Sequence, residues 1–297
     1  MGIQPSFFDP EPPPGPDLVR FGTSSFSSPD WVGTFYPRGT RASDFLRHYA
    51  TQFDTVEVDA TYYAIPAPET VDRWIDKTPP GFSLAAKFPR TIVHAGHGPE
   101  PDPRHVLVPE SSAHERDAFL EVMSRLGERL GVLLLQFPYF ARELFASSQV
   151  FLERLERFLE SLPGGFSYCV EIRNRDWLRD AAALCRRRGV ALVLVDRVGM
   201  PHGDEVMQEL DPVTGDFVYV RLLGDRQRIE RMTTRWEREV IDHRSSLERW
   251  GELLARMSER QVPSFVYANN HYAGHAPTTI RRLQEIYQRA VKRPRAS

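Results

Sequence analysis

Cysteine is scarce in this chain: Cys169 and Cys185 are the only two in 297 residues. Two thiols build neither a disulfide framework nor a zinc cluster. They fit a reducing compartment and the role of small buried hydrophobes. An excess of one charge is missing too. Lysine and arginine number 38 against 40 for aspartate and glutamate, a formal net charge of -2. That balance gives no overall electrostatic reason to expect nucleic acid or an acidic membrane as partner. No apolar run approaches the length that spans a bilayer. The opening residues, MGIQPSFFDPEPPPGPD, hold no basic segment followed by an apolar one, so they are not expected to act as a secretory signal. Their prolines exclude a helix, so residues 1–17 are expected to form a disordered tail on a soluble, cytoplasmic protein. A short basic tail is expected at residues 293–297.

Two motifs are absent as well. No glycine-rich loop of dinucleotide-binding spacing follows an early strand, since FGTSSFSSPDW lacks the glycines. No HExxH or related spacing marks a transition-metal site, and His94, His97, His202, His271 and His275 all fall in expected loops.

What is present is an alternation of strand-like and helix-like segments. Eight short apolar runs begin near Leu18, Thr55, Phe82, Gly131, Ser167, Gly189, Asp216 and Pro263. Helical spacing of apolar residues appears between most of them, as in SDFLRHYATQF, APETVDRWIDK and VFLERLERFLESL. Further helices are expected over 112–130, 178–188 with Gly189 as C-cap, 245–260 and 277–291. The connection 197–215 is the exception, with MPHGDEVMQEL offering at most a short helix. Eight strands in this rhythm point to an α/β fold, a single (β/α)8 TIM-type barrel over residues 18–292. A doubly wound open sheet is the rival, and the missing nucleotide loop counts against it.

In such barrels the functional face lies at the C-terminal ends of the strands. Those ends carry Glu57 and Asp59, Lys87, Gln136, Glu171 and Arg173, Asp196, Arg221, and Asn269 with Asn270. Side chains two apart in a strand share a face, so Cys169, Glu171 and Arg173 point one way while Val170 and Ile172 point the other. The same parity sets Glu57 against Val56 and Val58, and Arg221 against Val220 and Leu222. A ring of charge at the barrel mouth suggests a ligand site. A purely structural ion-pair lattice is the alternative, although desolvation leaves such lattices little net stability.

The stretch ANNHYAGHAPTTI adds a helix start with Pro277 in its first turn, where free N–H groups can hold an anion. Oxygen ligands at Glu57, Glu171 and Asp196 leave a divalent cation open as a cofactor, though neighbouring cations weaken that case. Lys87 reads as an ion-paired or substrate-binding lysine, because nearby carboxylates keep it charged. Aromatic residues near the mouth, Phe26, Trp31, Tyr62, Tyr63 and Trp177, can stack on a ligand or cap the barrel.

The segments FGTSSFSSPDWVGTFYP, FDTVEVDATYYAIPAPETVDRW, TPPGFSLAAKFPR, LLLQFP, VEIRNRDW, DFVYVRLLG and YANNHYAGHAP together resemble the YecE-like family, labelled domain of unknown function 72. The resemblance runs in order over roughly residues 19–290 and implies a TIM-type barrel. Carried over by position, it points to Glu57, Lys87, Gln136, Glu171, Arg173, Asp196, Arg221 and Asn269. This chain departs from the family pattern at Ser25-Phe26, where Gly-Trp is common, at Asp59, where Asn is common, and at Leu223, where His is common. The last change takes away a histidine that could carry a proton.

The resulting expectation is an enzyme acting on a small-molecule ligand, anionic or sugar-like, by acid–base chemistry. Lys87, Arg173 and Arg221 would bind the anionic group, helped by Gln136, Asn269, Asn270 and the last helix. Glu57 and Glu171 would form the acid–base pair, and Asp196 would orient a cation or a substrate hydroxyl. Two alternatives stay open: a non-catalytic ligand-binding barrel, and a metal-dependent phosphodiesterase or nuclease.

Overall fold

The computed structural model describes residues 18–96 and 100–293. The expected tail at 1–17, His97, and residues 294–297 lie outside the described residues. Eight strands follow in chain order: β1 (Val19–Thr23), β2 (Thr55–Val58), β3 (Ser83–Lys87), β4 (Leu130–Gln136), β5 (Ser167–Glu171), β6 (Ala191–Arg197), β7 (Val218–Gly224) and β8 (Ser264–Ala268). All paired neighbours run parallel, and β1 returns to pair with β8. The α-helices are α1 (Phe45–Tyr49), α2 (Pro68–Lys77), α3 (Arg90–Val93), α4 (Pro109–Ser124), α5 (Ser148–Glu160) and α6 (Leu178–Arg188). They continue with α7 (Gly203–Glu209), α8 (Arg226–Met232), α9 (Arg244–Glu259), α10 (Asn270–Ala273) and α11 (Ala276–Lys292). This is the (β/α)8 barrel, and the short α7 falls within MPHGDEVMQEL.

Strands buried on both faces must be apolar on both, which is why GVLLLQ and ALVLV read as continuous runs. One set of their side chains, including Leu133, Leu135, Val170, Leu192, Leu194 and Val220, packs outward against the helices. The other set, including Ala85, Val132, Leu134, Cys169, Val193, Val195, Tyr219 and Tyr267, fills the lumen. Helix α5 shows how a helix joins this core: Phe151, Leu152, Leu155, Phe158 and Leu159 recur at helical spacing and are all buried. Gly189 stops α6 in the left-handed region, with φ 63°.

The barrel is nearly closed. Between β1 and β2 no ladder bonds form among the described residues. The gap is bridged by Tyr49 of α1, whose hydroxyl accepts from Thr23 N at 2.8 Å and donates to Thr55 O at 3.1 Å. The two strands come very close there. A Cβ on Gly22 would lie 2.2 Å from Thr55 O, so only glycine fits. Among the described residues no helix is long and apolar enough to cross a membrane.

Candidate active site at the barrel mouth

Arg221 stands at the centre of the mouth. It follows Tyr219 on the inner face of β7 and is 1% exposed. Its Nη1 donates to Gln136 Oε1 at 2.7 Å and to Glu171 Oε2, and its Nη2 donates to Glu57 Oε1 at 2.8 Å. The Tyr219 hydroxyl donates to Glu57 Oε2 at 2.8 Å. Lys87 Nζ lies 3.4 Å from Glu57 Oε1 and bonds Asp59 Oδ1. Arg173 Nε donates to Glu171 Oε1 at 2.7 Å. Residues from five strand ends are thus joined into one network, at the end of the barrel where the sequence pattern puts it.

The charges in this network fix one another. Burial alone would raise the Glu171 pKa, but Arg221 and then Arg173 outweigh it and hold the carboxyl at about 2. Burial likewise opposes ionisation of Asp59, yet Lys87 keeps its carboxyl below the ordinary value. Beneath them, burial pushes Cys169 and Tyr219 far up, so the floor of the site is neutral. Glu57 and Glu171 are 0% exposed. The expected acid–base pair therefore faces inward onto Arg221, because a buried carboxylate without a cation would be too costly. Of the three carboxylates in the network only Asp59 reaches solvent, with 39% of its side chain exposed.

A residue that the strand-end pattern does not single out joins the site. Arg197, the last residue of β6, shares the inward parity of Val193 and Val195. It is partly buried and has no hydrogen-bond acceptor among the described residues. Burial, and next the Arg173 guanidinium, hold it below its ordinary pKa against the pull of Glu171. Two guanidinium groups thus stand near a single carboxylate. The signal lies in the pattern Val-Leu-Val-Asp-Arg, since alternation along it assigns the lumen to Arg197.

The same alternation sends Asp196 outward, apart from the other expected site residues. Its Oδ2 accepts from Ser246 Oγ at 2.6 Å, Trp250 Nε1 at 2.8 Å and Tyr272 OH at 2.9 Å. It is therefore placed to organise α9 and α10 around β6 rather than to meet a ligand in the lumen. Beside it, His202 Nδ1 lies 2.6 Å from Asp204 Oδ1 and His202 Nε2 lies 3.2 Å from Ser246 Oγ. That order imitates a nucleophile, base and acid, but the serine hydroxyl sits closer to Asp196 than to the imidazole.

Asn269 and Asn270 part company as well. Asn269 stays at the mouth and caps α10, accepting from His271 N at 3.0 Å. Asn270 Oδ1 accepts from Ala276 N at 3.0 Å and Trp31 Nε1 at 3.2 Å, so it pins the first loop to the last helix. The anion seat expected at α11 is already filled from within the chain. Asn270 takes the Ala276 N–H, the His275 ring takes that of Thr278, and the His275 carbonyl takes that of Thr279. Burial lowers the His275 pKa to about 4, which keeps the ring neutral and able to accept. Of the expected aromatics, Trp31 is buried against Phe35 and Tyr36, and Trp177 packs against Phe140 and Phe151. Tyr63 stands 73% exposed. No cluster of three or more His, Cys, Asp or Glu side chains is placed to hold a metal among the described residues.

Comparison with known proteins agrees with the barrel. A family model described as "Protein of unknown function DUF72" matches residues 20–297. The YecE protein of Escherichia coli (strain K12), UPF0759, is 28% identical, covering 92% of this chain and 94% of that protein. YunF of Bacillus subtilis (strain 168), also UPF0759, is 27% identical over 54% of this chain and 52% of its own length. A crystal structure of a DUF72 protein from Thermotoga maritima covers 93% of this chain and 100% of its own, with a TM-score of 0.69 and 28% identity.

Proposed function

The chain belongs to the DUF72 family, whose description carries no reaction, and we propose from the site itself that the barrel mouth holds a small molecule by an anionic group seated between Arg173 and Arg197. One observation carries this reading: Arg197 shares the lumen-facing parity of Val193 and Val195, is partly buried within the field of Arg173, and has no acceptor among the described residues. A partly desolvated cation in that position is stabilised by an anion, and a guanidinium presents a planar fork to carboxylate or phosphate. The network also carries a surplus of positive charge. Lys87, Arg173, Arg197 and Arg221 face Glu57, Asp59 and Glu171. Gln136 uses its carbonyl on Arg221, and Asn269 uses its own on His271, so both amide nitrogens remain to bind ligand oxygen.

In this reading Glu57 and Glu171 are holders of Arg221 rather than proton carriers, and the ligand-facing base is Asp59. The reaction class that suits it is proton transfer next to the held anion, with the Asp59 carboxylate accepting and the cations stabilising developing negative charge. A barrel that binds without turnover is the second reading. It is favoured by the complete internal pairing of Glu57 and Glu171.

The test is binding of inorganic phosphate and of acetate at constant ionic strength, read as a rise in melting temperature with ligand concentration. Wild type should be stabilised by at least one of the two, and Arg197→Gln should lose about tenfold or more in affinity, the worth of one charge-assisted contact. Equal stabilisation of Arg197→Gln and wild type would overturn the reading.

A further inference from the structure

Strands β6 and β7 pair residue for residue from Val193 with Tyr219 to Asp196 with Leu222, and the next pair is Arg197 with Gly224. Leu223 is left without an opposite residue. One extra residue in a strand bends it, raises the local twist and re-aims the side chains that follow. The extra residue, Leu223, lies on β7, and the Gly224 that follows it is the partner of Arg197.

The elements around this slip are tied together by a single carboxylate oxygen. Oδ2 of Asp196 receives Ser246 and Trp250 from α9 and Tyr272 from α10. Helix α10 in turn sits directly on the end of β7. Gly224 has φ +67°, and a Cβ there would lie 2.8 Å from Tyr272 Cα and 2.9 Å from His271 O. Tyr272 therefore meets β7 through its backbone and β6 through its hydroxyl, spanning the slip. Trp250 and Tyr272 are fully buried, which makes this cross-tie stiff.

We propose that Asp196 is a positioning residue: by joining β6 to α9 and α10 it fixes the strand end from which Arg197, the next residue, faces the mouth. The inference rests on the reading of Arg197 as an anion-binding residue. It assigns Asp196 no contact with the ligand.

The experiment measures inorganic phosphate affinity by titration calorimetry for wild type, Asp196→Ala, Asp196→Asn, Arg197→Gln and the Asp196→Ala/Arg197→Gln double variant. Asp196→Ala should weaken binding about tenfold, comparable to loss of one charged hydrogen bond. Asp196→Asn should restore most of it, because its carbonyl oxygen accepts the same three donors. The double variant should bind no more weakly than Arg197→Gln alone, since the two act through one group. Wild-type affinity in Asp196→Ala, or losses that simply add, would overturn the inference and leave the reading of Arg197 intact. Phosphate binding that ignores Arg197→Gln would instead remove that reading. In that case a crystal structure of Asp196→Ala still decides: a guanidinium withdrawn from Arg173 supports the positioning role, and an unmoved Arg197 ends it. If Asp196→Ala does not fold, Tyr272→Phe carries the same comparison with a smaller effect.

Discussion

Two polar networks lie at the same end of the barrel, one inside the strands and one outside. The inner network joins Glu57, Glu171 and Asp59 to Lys87, Arg173 and Arg221, charge against charge. The outer network surrounds one carboxylate, Asp196, with the neutral donors Ser246, Trp250 and Tyr272. Both satisfy buried oxygen atoms, yet they differ in what remains. Neutral donors settle a carboxylate and leave no cation to spare, which suits a structural tie. Paired charges leave a balance, and here Arg197 makes that balance positive at the site open to a ligand. The contrast separates holding from binding better than burial does, because both networks are mostly buried.

The largest effect is expected at Arg221. Replacing it with Met removes one cation from two fully buried carboxylates and should cost about 3–5 kcal/mol of stability, measured by urea unfolding. A cost under about 1 kcal/mol would mean that the inner network is not held together by charge. Next comes pH. Glu171 titrates at about 2 when folded, against an ordinary 4.5. A depressed carboxylate adds stability above its unfolded pKa and loses it as pH falls through the folded one. The contribution should be complete above about pH 4.5 and vanish toward pH 2, worth at most about 3 kcal/mol. Glu171→Gln should be less stable at neutral pH and show a flatter acid limb across that window. Parallel limbs for the two proteins would assign the titration elsewhere. The smallest effect is expected outside the barrel. Trp250→Phe deletes one of three donors to Asp196 and should cost about 1–2 kcal/mol, with little change in the acid limb. An acid limb that departs from that of wild type in this variant would erase the distinction between the two networks.

Much of the inner site is legible in the amino-acid sequence. Glu171 and Arg173 sit two apart in an otherwise apolar strand, and strand parity alone sends both to the lumen. Glu57 and Arg221 yield to the same rule. Asp196 and Arg197 show what position at a strand end leaves out. That position points to Asp196 as a site residue, while alternation with Val193 and Val195 puts Arg197 inside and Asp196 outside. The slip that leaves Leu223 unpaired has no signature in VYVRLLG, because a bulge depends on what lies across the ladder. The start of α11 misleads for a similar reason. Its N–H groups are free in isolation, and only the fold brings Asn270 and His275 to them.

The seam between β1 and β2 bears on how the protein is made. Strand β1 has its ladder partner in β8, 245 residues later in the chain. On a ribosome adding about 5–20 residues per second, β1 waits roughly 10–50 s after its own synthesis for that partner to exist. For that interval β1 has no ladder partner among the described residues, and the Tyr49 bridge links it to β2. The barrel can become a ring only after β8 has been made, so VRFGT waits longest of the strands for its ladder partner.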